Sequence, residues 1–166
     1  ISHRGTANNY DLWTYSVKDK EVTPMAVVDV SAQLSSQFSP DMRWYAYMSS
    51  EAGNWQVFVQ PVPNPTAVKS QLTKQGGRFP MWSADGRQLF YENDSRMFSA
   101  PFQAGAQPTL GTPVELGVRG FIQPLIRRNY DMTPDRKNFV MLFRPGPQIE
   151  VVSNWTAQLK QIARAN

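Results

Sequence analysis

The sequence predicts an all-β chain built from successive small antiparallel sheets. Three observations carry that expectation. One turn motif recurs three times, with its aspartates at positions 41, 85 and 135, so the steps are 44 and 50 residues. The segments between the turns form short alternating runs rich in aromatic and β-branched side chains, as strands are. Thirteen Pro and ten Gly interrupt the 166 residues too often for a helix bundle.

In chain order, Asp11–Ser16 reads as a strand, and Val22–Val28 as the strand that follows it. Nothing before Ile1 supplies two earlier strands of the same unit. The first full unit opens at Phe38-Ser39-Pro40-Asp41-Met42-Arg43-Trp44. In such a turn Ser39 can bond back to the backbone, Pro40 presets φ near −65°, and Asp41 tolerates the third position. Trp44–Met48 and Trp55–Gln60 alternate as strands, and Ser70–Thr73 is a shorter one. Pro61, Pro63 and Pro65 forbid continued central pairing between them. Gly76-Gly77 reads as the link to the next unit.

The second unit repeats the pattern around Trp82-Ser83-Ala84-Asp85-Gly86-Arg87. Its strands are expected at Gly77–Ser83, Gln88–Tyr91, Met97–Phe102 and Thr112–Leu116. The third turn is Met132-Thr133-Pro134-Asp135-Arg136-Lys137, between strands at Asn129–Met132 and Phe139–Phe143. Ile149–Val152 would add one more strand, and no fourth. Gly86 suits the last turn position. Met42 and Arg136 replace it in the other two copies, so a positive φ there is not expected to be obligatory. A helix is expected only in the tail, over residues 153–163, where Trp155, Leu159 and Ile162 share one face.

Four short strands per 44–50 residues is the size of a propeller blade. The expected fold is therefore a partial β-propeller of about three four-stranded antiparallel blades, half of a six-bladed ring, with a short C-terminal helix. The whole chain, 1–166, is one partial domain. Its blade portions are expected near residues 1–30, 31–75, 76–118 and 119–153.

The Ser-Pro-Asp-x-Arg turn, the aromatic before it and the apolar strand after it resemble the WD-like repeat of TolB-type six-bladed propellers. Phe38–Gln60 and Gly76–Tyr91 carry the likeness best, with Tyr10-Asp11-Leu12-Trp13 before them. The C-terminal propeller region of certain bacterial serine/threonine protein kinases is the nearest likeness, and Ile149–Trp155 resembles the end of those chains. The resemblance implies a surface for binding or sensing and a periplasmic or extracytoplasmic setting. It does not carry kinase activity here. The chain has no Gly-rich loop, no His-Arg-Asp and no Asp-Phe-Gly.

Catalytic chemistry finds little footing in these residues. There is no Cys, which excludes disulfides, thiolate metal sites and a cysteine nucleophile. His3 is the only histidine, so one chain can hold neither a serine triad nor a two-histidine zinc site. Glu92-Asn93-Asp94 could offer oxygens to Ca²⁺, but lacks the longer alternating pattern of a calcium loop and reads as a turn. The repeated aspartates are structural. Together with their neighbours they define the repeat turns Ser39, Pro40, Asp41; Ser83, Asp85, Gly86; and Thr133, Pro134, Asp135. No cofactor or metal is expected. The net charge of +4 is spread in short runs, and aromatics recurring once per unit serve packing, so no nucleic-acid partner is expected. No apolar run reaches the roughly 20 residues that would insert in a bilayer.

Arg78, Arg128 and Tyr130 fall at entrance positions of the innermost strands and are the candidate ligand-binding residues. A half ring leaves uncovered apolar faces at its ends. The expected protein is thus a non-catalytic binding scaffold, open to a protein or peptide ligand. Its ring would be completed by a second copy or by the rest of a longer chain. The alternative is a sensory module of a larger bacterial signalling protein.

Overall fold

The structure is a computed structural model that describes residues 2–4, 10–26, 32–62, 69–122, 127–135, 137–143 and 152–153. The described residues form strands, bridges and turns only, and no helix among them is long and apolar enough to cross a membrane. The expected helical tail, residues 153–163, lies outside the described residues except at Ser153, which is in a strand.

Among the described residues, fifteen strands form four antiparallel sheets in chain order. The first holds β1 (Ser2–Arg4), β2 (Tyr10–Tyr15) and β3 (Val22–Ala26). In the second, β4 (Gln33–Phe38), β5 (Trp44–Ser49), β6 (Gln56–Pro61) and β7 (Ser70–Gln71) lie side by side in that order. The third has β8 (Arg78–Trp82), β9 (Gln88–Asn93) and β10 (Arg96–Gln103), with both β11 (Thr109–Leu110) and β12 (Val114–Arg119) on the far edge of β10. The fourth holds β13 (Tyr130–Met132), β14 (Asn138–Met141) and β15 (Val152–Ser153). This is a partial β-propeller.

Two elements depart from the sequence reading. A strand does precede β2: Ser2–Arg4 pairs with Tyr10–Leu12, and its three polar residues gave no alternation to detect. The last strand of the third sheet is split. β11 pairs with Phe102 and Gln103, β12 pairs with Arg96–Ser99, and the break holds Gly111 and Pro113. Proline has no N–H to give to the ladder, so pairing stops there and resumes at Val114.

Alternate side chains on each strand serve different neighbours. On β5, Tyr45 and Tyr47 join Phe58 and Leu12 in the layer between the first and second sheets. Ala46, between those two tyrosines, joins Val57, Val59, Trp82 and Leu89 in the layer between the second and third sheets. Phe90 on β9 packs edge-to-face on Phe139 of β14 at 5.0 Å, within the cluster that joins the third and fourth sheets. The second and third sheets are consequently buried on both faces: Tyr45–Ser49 and Leu89–Glu92 are unbroken buried runs. The fourth sheet is buried on one face only, and β14 alternates Phe139 in, Val140 out, Met141 in.

Polar links tie sheet to sheet. The Trp82 backbone N–H donates to Gln37 Oε1 at 2.8 Å, and its indole N–H to the Gln37 carbonyl at 3.0 Å. Gly76 and Gly77 link β7 to β8. A Cβ at Gly77 would come within 2.8 Å of the Thr73 hydroxyl and 3.0 Å of Val57, so the close approach needs glycine.

The three repeat turns share one hydrogen-bond pattern. Ser39 Oγ donates to Asp41 Oδ1 at 2.6 Å, and accepts from the Trp44 N–H at 3.0 Å. Asp41 Oδ1 accepts from the Arg43 N–H at 3.1 Å. Ser83 and Asp85 repeat this with Arg87 and Gln88, and Thr133 and Asp135 with Lys137 and Asn138. These donors favour the ionised carboxyl. Asp41 is lowered to about 2, chiefly by the Ser39 hydroxyl and then by Arg43, and Asp85 and Asp135 are lowered by the same kind of bond.

The turn also corrects an expectation. Met42 adopts φ +58°, close to the +69° of Gly86 at the same position. A positive φ is therefore used even without glycine, while Arg136 lies outside the described residues. Left-handed backbone costs an L-residue about 1–2 kcal/mol, and the Met42 side chain is exposed and recovers little of it. Met42→Gly is expected to stabilise the protein by roughly 0.5–1 kcal/mol net of glycine's greater unfolded-state freedom. A raised midpoint in denaturant unfolding is the expected reading, and an unchanged or lowered midpoint contradicts the strain at Met42.

Candidate functional site

The opening strands of the sheets, β4, β8 and β13, converge. β4 and β5 pack on β8. A hollow of about 460 Å³ is lined by Ser35 and Ser36 of β4 together with Arg128, Asn129, Tyr130 and Asp131 at the start of β13. The second and fourth sheets thus meet across the end of the third. In a propeller the opening strands line the central channel, so the hollow reads as the mouth of that axis.

Bulges shape this mouth. The register of β4 against β5 shifts between Leu34 and Gln37, and that of β8 against β9 between Arg78 and Met81. The bulged residues Ser35 and Phe79 have φ of +53° and +51°. A bulge re-aims side chains and carbonyls out of the regular ladder. In β4 it brings two hydroxyl-bearing residues to the hollow. In β8 it presents the Phe79 carbonyl to the fourth sheet, where the Tyr130 hydroxyl donates to it in a short hydrogen bond.

Of the three residues expected from sequence, Arg128 and Tyr130 share this hollow. Arg128 is only partly buried. It pairs with Asp131 at 3.6 Å, and its guanidinium lies 5.9 Å from the centre of the Tyr130 ring. Tyr130 is buried, with its ring against Phe121 and Phe139, both at 6.3 Å. Burial first, and the nearby Glu92 second, hold its phenol well above the ordinary value, so it remains a neutral donor. Tyr130 is therefore a wall of the hollow, its hydroxyl committed to Phe79.

Arg78 stands apart from that pair. It lines a second hollow of about 500 Å³, with Trp55, Asn54, Gln75, Asn93 and Asp94. Arg78 and Arg128 nevertheless hold the same repeat position, each seven residues before its turn aspartate, Asp85 or Asp135. Both lie where an opening strand begins, so both hollows are at the same end of the sheets. Among the described residues Arg78 makes no ion pair.

Sequence reading missed the role of Glu92. It was grouped with Asn93 and Asp94 as a turn, but the turn proper is Asp94-Ser95, both with positive φ, and Glu92 lies within β9. Its side chain is fully buried, and neither carboxylate oxygen has a hydrogen-bond partner. Burial raises its pKa to about 7, opposed by the positive charge of Arg78, its cross-strand partner. A signal was available. Seven residues after each turn aspartate stand Met48, Glu92 and Leu142, so an acid occupies an apolar position of the repeat. No group of three or more metal-ligating side chains occurs among the described residues.

Comparison with solved structures agrees with this architecture. The chain is similar to TolB from Acinetobacter baumannii, with a TM-score of 0.65 at 15% identity, over 93% of this chain and 37% of that one. It is also similar to a protein assigned as a 6-phosphogluconolactonase from Bacteroides uniformis, with a TM-score of 0.58 at 16% identity, over 89% of this chain and 45% of that one. The chain spans less than half the length of either structure. No protein-family model matches it, and no curated protein matches it in sequence. At these identities the likeness is one of fold, a TolB-like β-propeller.

Tyr130→Phe removes the donor to the Phe79 carbonyl while keeping the ring. The expected cost is about 1–3 kcal/mol, because the carbonyl is left buried and unsatisfied. Denaturant unfolding checks it. An unchanged midpoint means that this bond does not hold the fourth sheet to the third.

Proposed function

We propose that the chain is a non-catalytic propeller scaffold for protein or peptide binding, and that its half ring is completed by a second copy. The observation that carries the reading is the contrast between the two faces of the fourth sheet. Phe139 and Met141 are 1% and 3% exposed, whereas Val140 and Leu142, alternating with them, are 51% and 56% exposed. At the other end of the series, Tyr15 and Val22 of the first sheet are also exposed. The inner sheets have both faces covered. Among the described residues, Val140 and Leu142 at the fourth sheet are large apolar side chains left exposed beside buried neighbours, which favours association. The mouth lined by Arg128, Ser35 and Ser36 together with Val140 and Leu142, with Arg78 in the adjoining hollow, is the proposed ligand-binding end, so the association face reaches it.

The non-catalytic reading rests on the sequence, which has a single histidine and no cysteine. A second reading keeps the scaffold but closes the ring within a longer chain, as in a sensory module of a signalling protein. The span of less than half of the solved neighbours favours it. The extracytoplasmic setting rests on the family resemblance.

Light scattering on the chain alone tests the assembly. The self-completing ring predicts a mass about twice 18.8 kDa and a contact burying more than roughly 1,000 Å². Val140→Lys with Leu142→Lys is expected to convert the dimer to monomer. A wild-type chain that stays monomeric and well folded at tens of micromolar overturns the paired half ring.

A further inference from the structure

Glu92 lies where the fold should be least tolerant of a carboxylate. Its strand neighbour Phe90 packs on Phe139 of the fourth sheet, and side chains two apart on a strand share a face. Glu92 therefore points to the contact between the third and fourth sheets. The groups around it can be named element by element. From β8 comes Arg78, its cross-strand partner, which is too far for an ion pair. From β10 comes Met97, directly opposite and uncharged. From β13 comes Tyr130, close enough for the two groups to influence one another, with Arg128 over its ring. Asp94, in the following turn, is exposed.

The corresponding cross-strand pair in the second sheet is Leu34 opposite Met48, and it belongs to the same apolar cluster. The third sheet puts Arg78 and Glu92 in that place. A buried ionised carboxylate with no donor is strongly disfavoured, so the group must be neutral or the contact must open.

We propose that Glu92 is a proton-operated latch between the third and fourth sheets: protonated, it lies neutral in the closed contact, and ionised, it draws water and Arg78 toward itself and loosens the fourth sheet. The tyrosine hydroxyl already given to Phe79 cannot serve as its donor, which leaves Arg78 and solvent. The fourth sheet and the residues beside it carry most of the lining of the axial hollow, so the latch ties the shape of that mouth to pH. The latch does not depend on self-association or on any ligand.

The direction follows from linkage. Folding raises the carboxyl from 4.5 to about 7. The closed contact therefore has its full stability below about pH 4.5 and loses it as pH rises through about 7.

Hydrogen exchange of the β13 and β14 amides in the full chain, corrected for intrinsic rates, reads the latch directly. The opening constant is expected to rise roughly a hundredfold between pH 5 and pH 8.5. Glu92→Gln and Glu92→Met, the latter copying Met48, should abolish the dependence. A flat wild-type profile, or the same slope in Glu92→Met, overturns the proposal. Should both variants fail to fold, carboxyl-carbon NMR on the wild type decides. One of its five glutamates must titrate near 7, and five titrations all below about 5.5 refute the latch.

Discussion

A blade has two apolar faces, and the fold depends on the second and third sheets having both of theirs covered by another sheet. The constraint is visible in the sequence of β5, where Trp44-Tyr45-Ala46-Tyr47-Met48 contains no polar side chain facing water. A sheet solvated on one side would alternate apolar and polar residues. β5 instead alternates large with small. Tyr45 and Tyr47 fill the layer toward the first sheet, and Ala46 lets the third sheet approach closely on the other side, where Trp82 and Leu89 supply the bulk. Size complementarity of this kind sets the spacing of one sheet on the next.

The turns give the stack its repeat. A hydroxyl, a carboxylate two residues later and two backbone N–H groups form a closed hydrogen-bond set in all three turns. The set needs particular side chains, so it leaves a mark that alignment of the chain with itself detects. It also fixes what lies at a given distance along each following strand. Four residues after the aspartate stand Tyr45, Leu89 and Phe139, all buried. The architecture was legible for this reason: the same local chemistry imposes the same register three times.

What escaped the sequence lacked such a local mark. β1 pairs with β2 across Ser2, His3 and Arg4, three polar residues in a row that carry no apolar–polar alternation. Met42 takes a left-handed conformation because the closed turn around it demands one, although its residue type argues against it. Arg78 and Tyr130 open β8 and β13 and Arg128 lies two residues before β13, yet they line two different hollows, and the bulges in β4 and β8 that shape those strands could not be read from the sequence. A bulge is a property of two paired strands, and neither strand alone declares it.

Glu92 shows where the repeat and the chemistry part company. Register requires an inward side chain at this point, and packing in the neighbouring sheets supplies Met48 and leaves Leu142 at the uncovered end. A carboxylate there contributes nothing to packing that methionine would not contribute better, and it carries a desolvation cost that the Arg78 charge offsets only in part. The third sheet places Arg78 across from Glu92 where the second places Leu34 across from Met48. Structure alone would favour the apolar pair that the second sheet uses. The charged pair lies at the contact between the third and fourth sheets, with Arg78 also lining the hollow that holds Trp55 and Asn93, so a titratable group stands where the second sheet has only packing.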